Sequence, residues 1–162
     1  METLRKFVIL ATFLMLSNGW PAFAQLPGFQ IVRNDLSKYG TKDLDKNLPV
    51  LFMYFSPTCP ECMEMTEVII SHLAELKPIQ IVMISFESVT AIKSFALKYK
   101  TDLHNNLVIG TEGNTFLFPK NFHIEKLPFL VFYDNKGKLV LKYNSKMPAH
   151  DFIKEVIYRG IR

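Results

Sequence analysis

Two cysteines are the residues most able to do chemistry in this chain. They stand three positions apart in the stretch SPTCPEC, residues 56–62, and the sequence contains no others. A pair at this spacing can form a redox-active dithiol, supply half of a metal site, or be two ordinary buried thiols. A structural disulfide is a poor explanation, because a bridge across so short a loop constrains the unfolded chain very little.

A metal site at the cysteines would need further ligands that the sequence does not arrange. Structural zinc takes four ligands, and the cysteine pair supplies only half of them. His72 falls on the apolar face of a predicted helix, where a boundary residue is the simpler interpretation. His104, His123 and His150 lie in predicted loops or caps and have no mutual spacing of ligand type. We therefore predict no metal site.

The cysteines lie where a predicted buried strand passes into a predicted helix. The strand, residues 50–55, is continuously apolar and is bounded by prolines, as in a central strand covered on both faces. Pro60 suits the first helical position, and the amphipathic helix that follows ends near Pro78. Cys59 would then cap the helix, where free N–H groups and the helix dipole favour the nucleophilic thiolate. Cys62, one turn further in, would be more buried, which predicts attack by Cys59 and resolution by Cys62.

The rest of the chain predicts an α/β domain. A strand, a helix and a second strand in this order favour a right-handed crossover with parallel pairing. The predicted elements together form a mixed central sheet, parallel in its first half and antiparallel at one edge, with helices on both faces. Residues 101–126 stay unassigned. Further strands are predicted over 30–33, 79–86, 129–133 and 138–143, and further helices after a Ser88 cap and over 149–159, with Gly160 as the last cap.

The first residues have the pattern of an export signal. Arg5 and Lys6 precede an apolar run over 7–16, and an A-x-A pattern follows at 22–24. The run is shorter than the roughly 20 apolar residues that span a bilayer. We predict a signal peptide over 1–24 and one domain over 25–162. The alternative is an uncleaved N-terminal anchor, with the domain facing the periplasm.

The charge pattern argues against a nucleic-acid partner. The formal net charge is +4, and the lysines are scattered along the chain instead of clustered. No zinc-finger or RNA-binding motif accompanies them. A solvated basic surface is the simpler interpretation of this charge.

Two segments together resemble the thioredoxin superfamily, in particular its exported TlpA-like and redoxin-type thiol–disulfide oxidoreductases. They are FMYFSPTCPECMEM, residues 52–65, and LPFLVFYDNKGKLV, residues 127–140. The resemblance implies a thioredoxin-like fold in which Pro128 is a cis-proline facing the cysteines. It also implies that Leu127 pairs through its backbone with a bound substrate peptide, and that Thr58 contacts the substrate. No organic cofactor is implied, since the dithiol itself carries the electrons.

The chain departs from ordinary thioredoxins around the cysteines. Thr58 stands where family members commonly have tryptophan, and Pro60-Glu61 replaces Gly-Pro. Met53 replaces the buried acid six residues before the first cysteine. Glu64 and Glu67 are close enough in sequence to take over its proton transfer, but both fit a solvated helix face. Pro60 and Glu61 are therefore the candidates for tuning the thiol. A carboxylate at Glu61 is favoured near a helix N-terminus, yet it opposes a neighbouring thiolate. If the second effect is the larger, the pair is a reductant of other exported disulfides.

These inferences predict the partners of the protein, and they leave alternative functions open. Exported protein thiols and disulfides would be the substrates, a membrane-bound donor would supply electrons, and no stable membrane insertion is expected once the signal is cleaved. A thioredoxin-fold copper chaperone that uses His123 is one alternative. A redox-silent binding module is another. Direct peroxidase activity is a minor option, because Ser56 stands where a peroxiredoxin needs threonine.

Overall fold

The computed structural model describes residues 26–143 and 145–161, so the predicted signal peptide lies outside the described residues. In this part the chain forms seven strands and four helices, together with three short 3-10 turns. The strands are β1 Gln30–Arg33, β2 Lys38–Gly40, β3 Val50–Phe55, β4 Gln80–Ser85, β5 Leu107–Thr111, β6 Phe129–Tyr133 and β7 Leu139–Lys142. The helices are α1 Pro60–Ser71, α2 Val89–Tyr99, α3 Leu117–Phe122 and α4 Ala149–Gly160.

All seven strands form one sheet in the order β2-β1-β5-β4-β3-β6-β7. The central strands β5, β4 and β3 pair in parallel, while β1 joins β5 and β6 joins β3 in antiparallel fashion. The antiparallel edge predicted from the C-terminal hairpin is confirmed at β6–β7. The N-terminal hairpin β1–β2 makes the other edge antiparallel as well, which the sequence did not predict. Strand β3 is buried along its whole length, as its continuous apolar sequence predicts.

Alternate residues of β3 enter two separate cores. Leu51, Met53 and Phe55 face the core that lies under α1, α2 and α4. Val50, Phe52 and Tyr54 face the opposite core, which α3 and the N-terminal segment cover. The predicted α/β class, the mixed sheet and the helices on both faces are confirmed.

The structure departs from the predicted elements in three places. The unassigned residues 101–126 contain β5 and α3, of which α3 is only six residues long. Helix α1 ends at Ser71, with His72 as its C-cap, and turns fill the chain up to Pro78. Gly160 is the last residue of α4 and not its cap. A Cβ there would meet the side chain of Ile79, so this glycine allows close packing of the helix end.

Candidate active site

Cys59 is the N-cap of α1, and its side chain is partly exposed. Pro60 occupies the first helical position, where its missing N–H leaves no donor unpaired. The Cys62 N–H donates a hydrogen bond to Cys59 Sγ at 3.3 Å. Strand β3 and the cap therefore hold this sulfur at the positive end of the helix, facing solvent, as the sequence predicts.

Cys62 lies one turn inside the helix and is fully buried. Burial is the main cause of a strongly raised pKa for its thiol, and hydrogen bonding to Cys59 raises this pKa further. The negative charges of Cys59 and Glu61 act in the same direction, while a backbone hydrogen bond from Ser56 opposes them. The two free thiols thus differ sharply in exposure, and Cys62 stays protonated at neutral pH.

No buried carboxylate lies on the Cys62 side of the sheet among the described residues. Met53 faces the same core as Cys62 and is fully buried. Glu64 and Glu67 are exposed on α1, which confirms that they belong to its solvated face. The buried carboxylate of Glu112 follows β5 and accepts the Phe118 N–H at 3.0 Å, against the opposite core. Met53 stands where ordinary thioredoxins have a buried acid. Within the described residues, Cys62 therefore has no buried carboxylate on its side of the sheet to accept its proton.

The carboxylate of Glu61 contacts the exposed thiol. Its Oε2 lies 3.5 Å from Cys59 Sγ, which donates to it in the thiol form. Once the thiol loses its proton, two negative groups face each other at this distance. Glu61 is exposed, so solvent screens this repulsion.

Thr58 belongs to a small polar network beside Cys59. Its Oγ1 lies 3.1 Å from Ser56 Oγ, and the Ser56 hydroxyl donates to Glu87 Oε1 at 3.4 Å. Sequence reasoning missed Glu87. The available signal was its place just after β4, since the carboxyl ends of parallel neighbours meet at one edge of a sheet.

The Leu127–Pro128 peptide bond is cis, which confirms the conformation predicted for this proline. Both residues line a groove of about 900 Å³ that also includes Glu61 and Glu64 from α1. Leu127 and Cys59 both pack at the margin of the α1-side core. The structure thus brings the cysteine helix and the cis-proline loop to one surface groove. Whether Leu127, Pro128 and Thr58 contact a substrate stays a prediction.

Two of the histidines contact each other, which the sequence did not predict. His123 lines the same groove as Pro128, but no group of three or more potential metal ligands forms in the described part of the chain. His72 and His150 are in direct contact, although 78 positions separate them. No local sequence pattern indicates this pair, since it depends on α1 and α4 packing side by side.

Comparisons with known proteins agree with this geometry. A family described as Thioredoxin-like domain matches residues 42–159. No curated protein matches the chain. None of the helices in the described residues has the length and apolar character needed to cross a membrane.

Several solved structures share the fold. A secreted disulfide oxidoreductase of Mycobacterium tuberculosis, homologous to E. coli DsbE, has a TM-score of 0.66 at 17% identity, covering 80% of this chain and 94% of that one. DsbF of the same organism has a TM-score of 0.67 at 19% identity, covering 85% and 96%. A SCO1/SenC family lipoprotein from Bacillus anthracis has a TM-score of 0.65 at 24% identity, covering 89% and 99%.

Proposed function

Because the chain belongs to the thioredoxin-like family, we propose that it is a thiol–disulfide oxidoreductase that works through Cys59 and Cys62. The supporting observation is the inequality of the two sulfurs at one helix start. Cys59 is partly exposed at the cap, and Cys62 is fully buried one turn behind it. An accessible nucleophile with a sheltered second thiol is the arrangement that disulfide exchange requires.

Cys59 acts first in the proposed reaction. Its thiolate attacks one sulfur of a substrate disulfide, the substrate S–S bond breaks, and a mixed disulfide forms. The released substrate sulfur takes a proton from solvent. The Cys62 N–H, 3.3 Å from Cys59 Sγ, supports the attacking anion.

Cys62 acts second and closes the cycle. It gives up its proton to solvent and attacks Cys59 Sγ, which breaks the bond between Cys59 and the substrate, releases the second substrate thiolate and leaves a Cys59–Cys62 disulfide. Two electrons pass from the dithiol to the substrate, and no organic cofactor takes part. Because burial raises the Cys62 pKa, this second step should become faster as the pH increases.

The substrate would lie in the groove beside the cysteines. In this proposal the Leu127 backbone pairs with an extended substrate strand next to Pro128, and Thr58 contacts it near the sulfur. The groove that α1 and the cis-proline loop both line supports the placement at Leu127 and Pro128, and Thr58 and Cys59 are not among its lining residues. Pro60 and Glu61 tune the thiol, the first by completing the cap and the second by its charge.

A trapping experiment tests the reaction. Cys62→Ser should accumulate a mixed disulfide with a disulfide-bonded peptide, because the resolving thiol is gone. Cys59→Ser is the matched control and should form none, since the remaining sulfur is buried. Mass spectrometry after non-reducing separation distinguishes the two. Failure of both variants to capture the peptide, or equal capture by both, would contradict the assigned roles.

We further propose that the net direction is reduction. The Glu61 carboxylate beside Cys59 destabilises the thiolate and therefore the reduced form. Equilibration of the protein with glutathione buffers of known redox potential gives the reduction potential of the Cys59–Cys62 pair. A value near about −120 mV, typical of a strongly oxidising dithiol, would reject the reductant role.

Export completes the proposal. The signal-like residues 1–24 would deliver the domain to the periplasm, where protein disulfides are its substrates and a membrane-bound donor reduces it again. The mass of the protein recovered from the periplasmic fraction tests this step. A chain beginning at Gln25 supports cleavage, and an intact chain in the membrane fraction would favour the anchored alternative.

A further inference from the structure

The far end of the cysteine helix holds two histidines in contact. His72 is the C-cap of α1, and His150 lies in the first turn of α4. Their atoms Nε2 and Nδ1 are 3.3 Å apart, with the ring planes at 78°. Two imidazoles from different helices thus point ring nitrogens at one another.

Glu75 determines which nitrogen of His72 can bind a further group. Its Oε1 lies 2.7 Å from His72 Nδ1. An ionised carboxylate can only accept a hydrogen bond, so Nδ1 carries the proton. In the neutral ring Nε2 then presents its lone pair towards His150. A carboxylate that orients the far nitrogen of a histidine in this way is the usual second shell of a metal ligand.

The separation of the two facing nitrogens matches a shared metal ion. Histidine nitrogens bind zinc at about 2.0–2.1 Å with tetrahedral angles, which puts two such ligands roughly 3.3–3.4 Å apart. We propose that His72 and His150 form a binding site for a divalent transition-metal ion of the zinc class, with Glu75 holding His72. Imidazole ligands suit zinc, copper and nickel ions.

The surroundings fit an accessible site of modest strength. His150 and Glu75 are exposed, and the His72 side chain is 17% exposed, so that an ion can enter from solvent. His150 can carry its remaining proton on its other nitrogen. No third histidine, cysteine or carboxylate completes a ligand group in residues 26–143 and 145–161, which leaves the other positions to water.

The site is separate from the thiol chemistry. Helix α1 has 12 residues, which places its two ends roughly 18 Å apart at about 1.5 Å per residue. A bound ion would join the end of α1 to the start of α4 and stabilise their packing. It would do so without contacting Cys59 or Cys62.

Zinc titration of the oxidised protein tests the proposal, since a Cys59–Cys62 disulfide cannot take up the metal. Calorimetry should give one zinc ion per chain. His150→Ala removes a ligand from an exposed position, and we expect at least a tenfold loss of affinity. Glu75→Gln should weaken binding by about tenfold, the lower end of the range for lost second-shell partners. His104→Ala, which lies outside the pair, should leave the affinity unchanged.

Imidazole nitrogen NMR provides an independent measurement. Zinc should shift the ring signals of His72 and His150 and leave those of His104 and His123 in place. Absence of zinc binding by the oxidised protein would overturn the proposal and leave the pair as a simple interhelical hydrogen bond. Equal zinc affinity of His150→Ala and the unaltered protein would overturn it as well, because the ion would then be bound elsewhere.

Discussion

The two sides of β3 differ in the kind of group that they bury. On the side of α1, Met53 lies between Met83 and Leu130 of the neighbouring strands, in the same apolar core as Cys62. On the other side, Tyr54 stacks on Phe118 at 5.8 Å, close to the buried carboxylate of Glu112.

The difference follows from where a hydrogen-bond donor is available. Glu112 remains buried because the Phe118 N–H binds its Oε2 at 3.0 Å. Burial and the nearby Glu112 charge raise the pKa of Tyr54, so this side keeps a neutral phenol beside its acid. On the Cys62 side, the strand neighbours of Met53 are the apolar Met83 and Leu130. Among the described residues, the buried carboxylate Glu112 therefore lies where the Phe118 N–H pairs with it, and no buried carboxylate lies on the side of Cys62.

Placing an acid on the Cys62 side should have the largest effect. Met53→Asp buries a carboxylate without a partner, and we expect the free energy of unfolding to fall by more than about 4 kcal/mol. Met53→Leu keeps the volume and should cost less than about 1.5 kcal/mol. Urea denaturation of both variants measures the difference. Similar stability of the two would mean that this side does provide a partner for charge.

Removing the acid from the opposite side should cost less. Glu112→Ala leaves the Phe118 N–H unpaired, which typically costs about 1–3 kcal/mol. Glu112→Gln retains a carbonyl acceptor and should lose a smaller part of this. The same denaturation assay compares them. If glutamine were as damaging as alanine, the charge and not the hydrogen bond would be the stabilising feature.

The raised pKa of Cys62 should make the reduced protein sensitive to alkali. Because folding raises this pKa above the ordinary thiol value of 9.0, the unfolded chain loses the proton first as the pH increases. The contribution of the protonated Cys62 thiol to the free energy of unfolding is fully present below pH 9. Above pH 9 the free energy of unfolding falls by up to about 1.4 kcal/mol per pH unit. The oxidised protein lacks the thiol and contains the same tyrosines, so it serves as the reference.

Denaturation curves of both redox forms between neutral and alkaline pH measure this loss. The reduced form of Cys62→Ala should follow the oxidised protein. Parallel curves for the reduced and oxidised forms of the unaltered chain would contradict the effect of burial.

Glu61 should have the smallest effect, since it is exposed. Glu61→Gln removes the charge 3.5 Å from Cys59 Sγ and should make the reduction potential less negative by up to about 20 mV, less than a tenfold change in the equilibrium. Glu64→Gln is the matched control on the same helix and should change the potential less. A more negative potential in Glu61→Gln would mean that the carboxylate stabilises the reduced form through its hydrogen bond.

Local sequence patterns were sufficient to predict the cysteine helix and its strand. Proline at residue 60, the apolar run of β3 and the periodic apolar residues of α1 act over short distances, and they place Cys59 outside Cys62. The cis bond before Pro128 required the resemblance to a family, because most X–Pro bonds are trans.

Features that depend on distant contacts could not be predicted in this way. Strand β5 and helix α3 are short, and their patterns are weak without the neighbours that cover them. Glu112 is buried only because it follows β5 and lies under α3, where the Phe118 N–H binds it. The His72–His150 pair likewise forms only after α1 and α4 have packed together.

The hydrogen bond from the Cys62 amide to Cys59 Sγ makes that amide an indicator of the state of the sulfur. An anionic sulfur accepts more strongly than a neutral one, so the first turn of α1 should be held most firmly when Cys59 is a thiolate. Alkylation of Cys59 should weaken the bond and increase hydrogen exchange at Cys62 relative to amides deeper in the helix. The exchange rate of a single backbone proton can therefore follow the charge on the exposed thiol without a probe bound to sulfur.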